Sequence, residues 1–321
     1  MAQQLNFTEP SEEELEMMDE IEPQWFLVTG FLLSGFALVG NSFIILLIAS
    51  KEQLHRTTNR FLVSLSFADL GVSLSVFPGD FFCLPIEECR YHLLASFQWA
   101  FLYASVANLC ALTVDRYIAI VKPFIYVLFM TRNRAVAFTL AAWILPFIFS
   151  FVPLIFINTE EHILYMRNYT YVVTVIFEFI PPVSLLFVTA HMLYIARKHA
   201  RETANVMQQL RYNQPAPGST NPPPLRHGNR ARSSVGFIAF VVIFFVLCYS
   251  TTIAVSCCDI FELCDLPFEL NRAQVLLLIA NSAFNPFAYA LLKHDIKKEV
   301  KQLLRVGAVD RQRSPLQMEQ R

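Results

Sequence analysis

Seven long apolar segments, at about 26–50, 59–82, 93–119, 135–157, 168–196, 234–257 and 270–292, leave this chain few ways to fold. Each is near or above the roughly 20 residues that a helix needs to cross a bilayer. In hydrocarbon the backbone must satisfy its own hydrogen bonds, so an isolated apolar segment of this length crosses as a helix. The apolar residues also come in blocks rather than in stripes at helical spacing, with 55% of the chain apolar and thirty Phe. That pattern marks lipid-facing helices and not a soluble core. The fold class expected is an all-α membrane protein, a seven-transmembrane helix bundle. An odd number of spans puts the two termini on opposite sides.

Basic residues decide which side is which. All 25 Lys and Arg except Arg90, Arg167 and Arg272 fall on one face, in 51–60, 116–134, 197–232 and 293–321. Basic loops stay cytoplasmic, so the N-terminus is expected outside. The domains expected are an extracellular acidic tail at 1–25, the bundle at 26–292, and a cytoplasmic eighth helix and tail at 293–321. The tail holds eight acids and no base before Trp25; no cleavable signal peptide is expected, and the first span is expected to direct insertion. Sequons at Asn6-Phe7-Thr8 and Asn168-Tyr169-Thr170 make Asn6 and Asn168 glycosylation candidates on the same outer side. A third inner loop at about 197–233 contains Pro222-Pro223-Pro224 and is expected to be largely disordered between helical stubs. Lys293 to Leu304 places Ile296, Val300, Leu303 and Leu304 among lysines, which suits a short amphipathic helix in the membrane interface.

Two motifs then carry a resemblance. Asp115-Arg116-Tyr117 ends the third span, and Asn285-Pro286-Phe287-Ala288-Tyr289 lies near the end of the seventh. At these places within seven spans the chain resembles the rhodopsin-like (class A) G-protein-coupled receptors over nearly its whole length. The resemblance implies a receptor that binds an extracellular ligand and activates heterotrimeric G proteins at the plasma membrane. Arrestin and receptor kinases are implied as further partners, besides membrane lipid. It implies that Arg116 is held by Asp115 at rest and turns to the G protein on activation, with Tyr117, Pro286 and Tyr289 in the same machinery. The acid that usually restrains this Arg from the sixth span falls on Ala231, so basal signalling is expected.

Asp69 sits in the middle of the second span, where an ionised carboxylate costs roughly 2.5–3.5 kcal/mol on insertion scales. It needs partners. Asn41, Ser105, Asn281, Ser282 and Asn285 stand where the family gathers its central polar cluster. There the resemblance implies an allosteric sodium ion, held by Asp69, Ser105, Asn281, Ser282 and Asn285 and favouring the inactive state. Carboxylate, hydroxyl and amide oxygens suit a hard cation. The alternative is a satisfied hydrogen-bond network without an ion.

The outer half departs from the family pattern. The sixth span reads Cys248-Tyr249-Ser250-Thr251 where Cys-Trp-x-Pro is usual, so Tyr249 takes the aromatic switch position above Phe245 and the kinking Pro is missing. Without it the helix is expected to run straight. The fifth span keeps Pro181 but has Thr189 for the family's inner Tyr. Amine receptors place an Asp where Gln98 stands, which disfavours an amine, and Ile279 replaces the Lys that retinal needs. Candidate pocket residues, by position, are Gln98, Glu178, Tyr249, Asp259 and Asp80, for a peptide, nucleoside or lipid.

No Cys lies between 111 and 247, so the usual bridge to the second outer loop is absent, and that loop, about 158–167, is short. Extracellular thiols tend to pair, making Cys83–Cys89 and Cys258–Cys264 candidate short-loop disulfides. These features resemble the melanocortin, adenosine and cannabinoid subgroup, as does the His191-Met192 run ending the fifth span. No inverted repeat points to a transporter, no polar rings to a channel, and no nucleophile or metal-ligand cluster to an enzyme. No nucleic-acid partner is expected, and no cofactor besides the sodium ion. The rival is a seven-transmembrane receptor that does not couple to G protein, on the strength of Tyr249, Thr251 and Thr189.

Overall fold

A computed structural model describes residues 23–83, 89–156, 162–212, 226–261 and 268–304. Among the described residues seven helices are long and apolar enough to cross a membrane. They run Gln24–Ser50, Thr57–Ser75 with Phe77–Cys83, Tyr91–Val121, Arg132–Phe151 with Pro153–Phe156, His162–Val173 continuing to Tyr212, Arg226–Phe261 and Phe268–Leu292. An eleven-residue amphipathic helix follows at 294–304, its Ile296 buried and its Leu304 exposed. The third span packs against the second, fourth and fifth, and the seventh against the first, second and sixth.

The first span shows how the sequence sorts its faces. Gly30, Ser34, Ala37, Asn41, Ile44 and Ile48, three or four residues apart, are buried. Val39, Leu46, Leu32 and Phe36 point outward. Lipid accepts large apolar side chains at no cost, so small and polar residues take the helix contacts, where they let backbones approach. Gly40 marks one close approach: a Cβ there would lie 2.9 Å from the Pro286 ring on the seventh span.

Prolines set the breaks. The second span interrupts at Val76, two residues before Pro78, and the fourth at Val152, just before Pro153. In the fifth, a π-helical turn at Thr174–Phe179 precedes Pro181 and Pro182. A π turn carries one extra residue, and here Thr174, Phe177 and Glu178 all end up buried. The sixth span, lacking its Pro, is one unbroken helix.

The helical stubs expected at the ends of 197–233 are long: helix continues from the fifth span to Tyr212 and resumes at Arg226. Residues 197–212 hold three Arg, two Ala and two Gln, good helix formers in water as in lipid, and the first Pro comes only at 215. The fifth helix begins by His162, so the outer loop before it is shorter than 158–167. Asn168 is exposed on that helix, whereas Asn6 lies outside the described residues.

Candidate functional site

The centre of the bundle is built on Asp69, which is fully buried. Its Oδ1 accepts from Ser105 Oγ at 2.8 Å and from Ser282 Oγ at 2.9 Å, and its Oδ2 accepts from Asn285 Nδ2 at 2.8 Å. Three spans thus meet on one carboxylate. Asn41 joins from the first span by donating to the Ser282 carbonyl at 3.1 Å, while its Oδ1 is buried without a hydrogen-bond partner. Asn281 is buried beside Ser282 but holds none of the three bonds. The oxygens present fit a hard cation: a carboxylate has about four lone-pair sites, of which three are taken, and hydroxyls that donate to it keep lone pairs free.

At the inner end of the third span Asp115 is buried and clasped from three directions. Its Oδ2 accepts from Arg116 Nε at 2.9 Å and from Thr58 Oγ1 at 3.0 Å, and its Oδ1 from the Tyr126 hydroxyl at 3.0 Å. Arg116 also pairs with Oδ2 through its terminal nitrogen at 2.6 Å and reaches Thr58 Oγ1 with the same group. Charge-assisted bonds of this kind are about twice as strong as neutral ones. Burial and the adjacent Asp115 carboxylate push the Tyr126 phenol above its ordinary pKa, so it stays a donor. Tyr117 lies against His191, its ring centroid 5.7 Å away. The motif's Tyr289 is fully buried, its ring 5.5 Å from Phe237.

One turn beyond Tyr289 is a second ionic knot. Lys293 donates to Asn59 Oδ1 and lies 3.6 Å from Asp295, and Asn59 Nδ2 in turn donates to the Leu54 carbonyl at 2.7 Å. This fixes the start of the eighth helix to the base of the second span. Burial lowers the Lys293 ammonium to a pKa of about 8. Burial alone would raise the Asp295 carboxyl, but Lys293 and the Ile296 N–H outweigh it and hold it below the usual range.

In the outer half the proposed pocket residues engage different partners. Gln98 is buried and donates to the Ser75 carbonyl at 2.9 Å, where the second helix breaks. Glu178 accepts from Ser256 Oγ on the sixth span at 2.6 Å. Beside it Tyr103 stacks on Phe177 at 4.4 Å and lies 5.3 Å from Trp99, and Tyr249 lies 4.4 Å from Phe245. The helical backbone includes Asp80 and Asp259, but their side chains lie outside the described residues. Cys83 and Cys89 form a disulfide with Cα atoms 5.5 Å apart. Cys258 is disulfide-bonded and Cys257 is free, while Cys264 lies outside the described residues.

Several of these residues carry no signal in the sequence. Thr58, Asn59, Ser64, Asn108, Trp143 and Ser256 are ordinary helix residues until packing brings them together. Trp143 Nε1 donates to Ser64 Oγ at 2.9 Å and Ser64 to Asn108 Oδ1 at 2.7 Å, linking the fourth, second and third spans. Tyr126 gave no signal either: Pro123 opens a short helix, which carries Tyr126 back under Asp115.

The model of the 7 transmembrane receptor (rhodopsin family) matches residues 40–289, from the first span to the last residue of the Asn-Pro motif. The chain belongs to that family. It is 27% identical over 313 residues to the adenosine receptor A2a of Canis lupus familiaris, covering 91% of this chain and 74% of that receptor. It is 28% identical over 300 residues to the 5-hydroxytryptamine receptor 4 of Cavia porcellus, covering 82% and 74%. It is 31% identical over 296 residues to the 5-hydroxytryptamine receptor 6 of Mus musculus, covering 80% and 66%. The chain is therefore a multi-pass membrane receptor and not an enzyme.

Proposed function

We propose that this receptor sits in the plasma membrane with its N-terminus outside, takes a ligand in the outer half of the bundle and activates a heterotrimeric G protein at the inner end. The observation that carries this reading is the clasp on Arg116. A buried ion pair is weakly stabilising at best, because desolvation offsets the attraction. A guanidinium kept at the cytoplasmic end of a span therefore argues for use as well as packing. In the arrangement described, Asp115 and Thr58 occupy its donors.

Activation is a population shift between two packings. Ligand bound between the third, fifth and sixth spans favours the one in which the sixth moves outward, the Asp69 cluster contracts and Arg116 leaves its clasp for a Gα C-terminal helix. Asp69, Ser105 and Ser282, with Asn41 and Asn285 nearby, would hold a sodium ion, whose positive charge would favour the other packing. A positive ion opposite one buried carboxylate neutralises a charge that lipid disfavours. Arrestin and receptor kinases are the partners we expect at the inner loops and tail.

The ligand is a nucleoside before it is an amine. Gln98 stands on the third span where an acid would pair an ammonium, and its amide is engaged with Ser75. The Glu178–Ser256 pair beside Tyr103 and Trp99 offers hydrogen bonding next to aromatic faces. Peptides and lipids follow in the screen.

The test is basal activation of a panel covering the four Gα classes in cells, against Arg116→Ala at equal surface level. Activation of one class that the substitution abolishes supports the reading. Good surface expression with no response from any class favours the second reading, a non-coupling receptor, for which the unbroken sixth helix carrying Tyr249 and no Pro is the specific support.

A further inference from the structure

In the outer half of the bundle, several buried oxygens face the interior without a donor. On the sixth helix Thr252 and Ser256 stand about two and about three turns beyond Phe245, so all three share one face. Phe245 is fully buried and Ser256 donates to Glu178 on the fifth span, so that face looks into the bundle. Thr252 is 1% exposed and its Oγ1 has no hydrogen-bond partner. The seventh span repeats the pattern. Gln274 stands about three turns outward of Asn285 on the same face, and Asn285 bonds Asp69 at the bundle centre. Gln274 thus faces the interior above that cluster, 2% exposed, with its Oε1 unpartnered. About one turn farther out the Oδ1 of Asn271 is buried and unpartnered as well. The chemistry of these groups is one-sided. The Ser256 hydroxyl commits its proton to Glu178 Oε2 at 2.6 Å, so the pair still offers lone pairs, and a carboxamide oxygen only accepts. Arg272, the cation on this stretch of the seventh span, is held by Glu269 at 3.0 Å. A buried acceptor without a donor is destabilising, which calls for an occupant that donates.

Taking the outer half as the ligand cavity, as proposed above, we infer that its ligand presents hydrogen-bond donors to the fifth, sixth and seventh spans and carries no anionic group. Among purine nucleosides this selects an amino base over an oxo base, and the free nucleoside over its phosphate. An exocyclic amino group donates to the Glu178–Ser256 pair, whereas a carbonyl in its place would set one acceptor against another. Ribose hydroxyls supply the donors for Thr252 and Gln274, and Trp99 and Tyr103, 5.3 Å apart beside Glu178, give the base an apolar face. A phosphate or a fatty carboxylate meets like charge instead. The charge of that side of the chain agrees, with Arg90, Arg167 and Arg272 as its three bases against eight acids before Trp25 alone. Like-charge juxtaposition turns away wrong partners.

The experiment is thermal melting of the purified full chain, titrated with adenosine, inosine and adenosine monophosphate, and with tryptamine and indole-3-acetate as a donor and acid pair outside the nucleosides. Adenosine is expected to bind about 10-fold or more tightly than inosine, the cost of leaving a buried polar group unmatched. It is expected to bind about 100-fold more tightly than its monophosphate, from like charge set against Glu178. Preference for inosine over adenosine, for the monophosphate over adenosine, or for indole-3-acetate over tryptamine overturns the acceptor-lined cavity. Stabilisation by tryptamine and by neither nucleoside rejects the nucleoside as ligand and supports the acceptor lining. Two variants decide whether or not a probe binds. Thr252→Val and Gln274→Met each remove an oxygen that lacks a partner, so neither is expected to lower the melting temperature in the absence of ligand. A fall of more than about 3 °C in Thr252→Val, roughly one lost hydrogen bond, shows that the oxygen is bonded within the protein and overturns the inference. Both variants are expected to weaken adenosine by about 10-fold, and unchanged adenosine binding in both overturns the lining.

Discussion

Replacing Asp69 by Asn tests the central cluster most directly, because two large effects oppose each other there. The carboxylate accepts three hydrogen bonds, at 2.8, 2.9 and 2.8 Å. Bonds to a charged acceptor contribute about 1.5–3 kcal/mol each and neutral ones about 1. The introduced amide keeps the two hydroxyl bonds at neutral strength, but turns an N–H toward the Asn285 amide, which must flip or lose its partner. The loss is on the order of 3–5 kcal/mol on those magnitudes. Against it stands relief of the several kcal/mol needed to desolvate one ion. The two nearly cancel, so in sodium-free buffer the variant is expected to melt within a few degrees of wild type. Sodium then separates them. A ligand at about ten times its dissociation constant stabilises by about 1.4 kcal/mol, which at roughly 2–4 °C per kcal/mol raises Tm by about 3–6 °C. The assay is thermal melting of purified receptor in sodium chloride against choline chloride at equal ionic strength. Wild type is expected to rise and Asp69→Asn to stay flat. An equal rise in both, or none in wild type, refutes the sodium site and leaves a hydrogen-bond network alone.

Tyr126→Phe removes one of the bonds that hold Asp115 and is expected to raise basal G-protein activation, read as second messenger at equal surface level; an unchanged basal level means the clasp does not restrain Arg116. Lys293→Met addresses the ionic knot. The Lys293 pKa of about 8 lies below its ordinary 10.5, so between those values the unfolded chain binds more protons and stability rises with pH. The contribution is on the order of 3 kcal/mol, gained from pH 8 to 10.5 and lost as pH falls back through that window. Melting across it is expected to show a steeper rise in wild type than in Lys293→Met, and parallel curves contradict this. Glu178→Gln keeps the Ser256 bond but removes the charge, and is expected to lower the potency of an agonist by about 10-fold if it pairs with the ligand, as for other charged contacts; unchanged potency takes Glu178 out of the pocket.

Much of this receptor was legible before any coordinate. Seven apolar blocks and one basic face specify the bundle, since hydrocarbon leaves the backbone no option but the helix, and an acid or Arg inside a span must find company. Asp69 and Arg116 announced themselves in that way, and the Asp-Arg-Tyr and Asn-Pro motifs said where in the bundle they stand. What the sequence could not contain was who the company would be. Thr58 and Tyr126 reach Asp115 from two other segments, Asn59 meets Lys293 across 234 positions of chain, and Gln98 is spent on the Ser75 carbonyl at a helix break. Helical stubs beyond Ala196 and before Ser234 were legible, but their extent, to Tyr212 and from Arg226, was not, because a helix in water carries no hydropathy signal. A span is a local property, written in about twenty consecutive residues. A polar partner inside the bundle is set by how helices rotate and approach, and only the packed structure decides that.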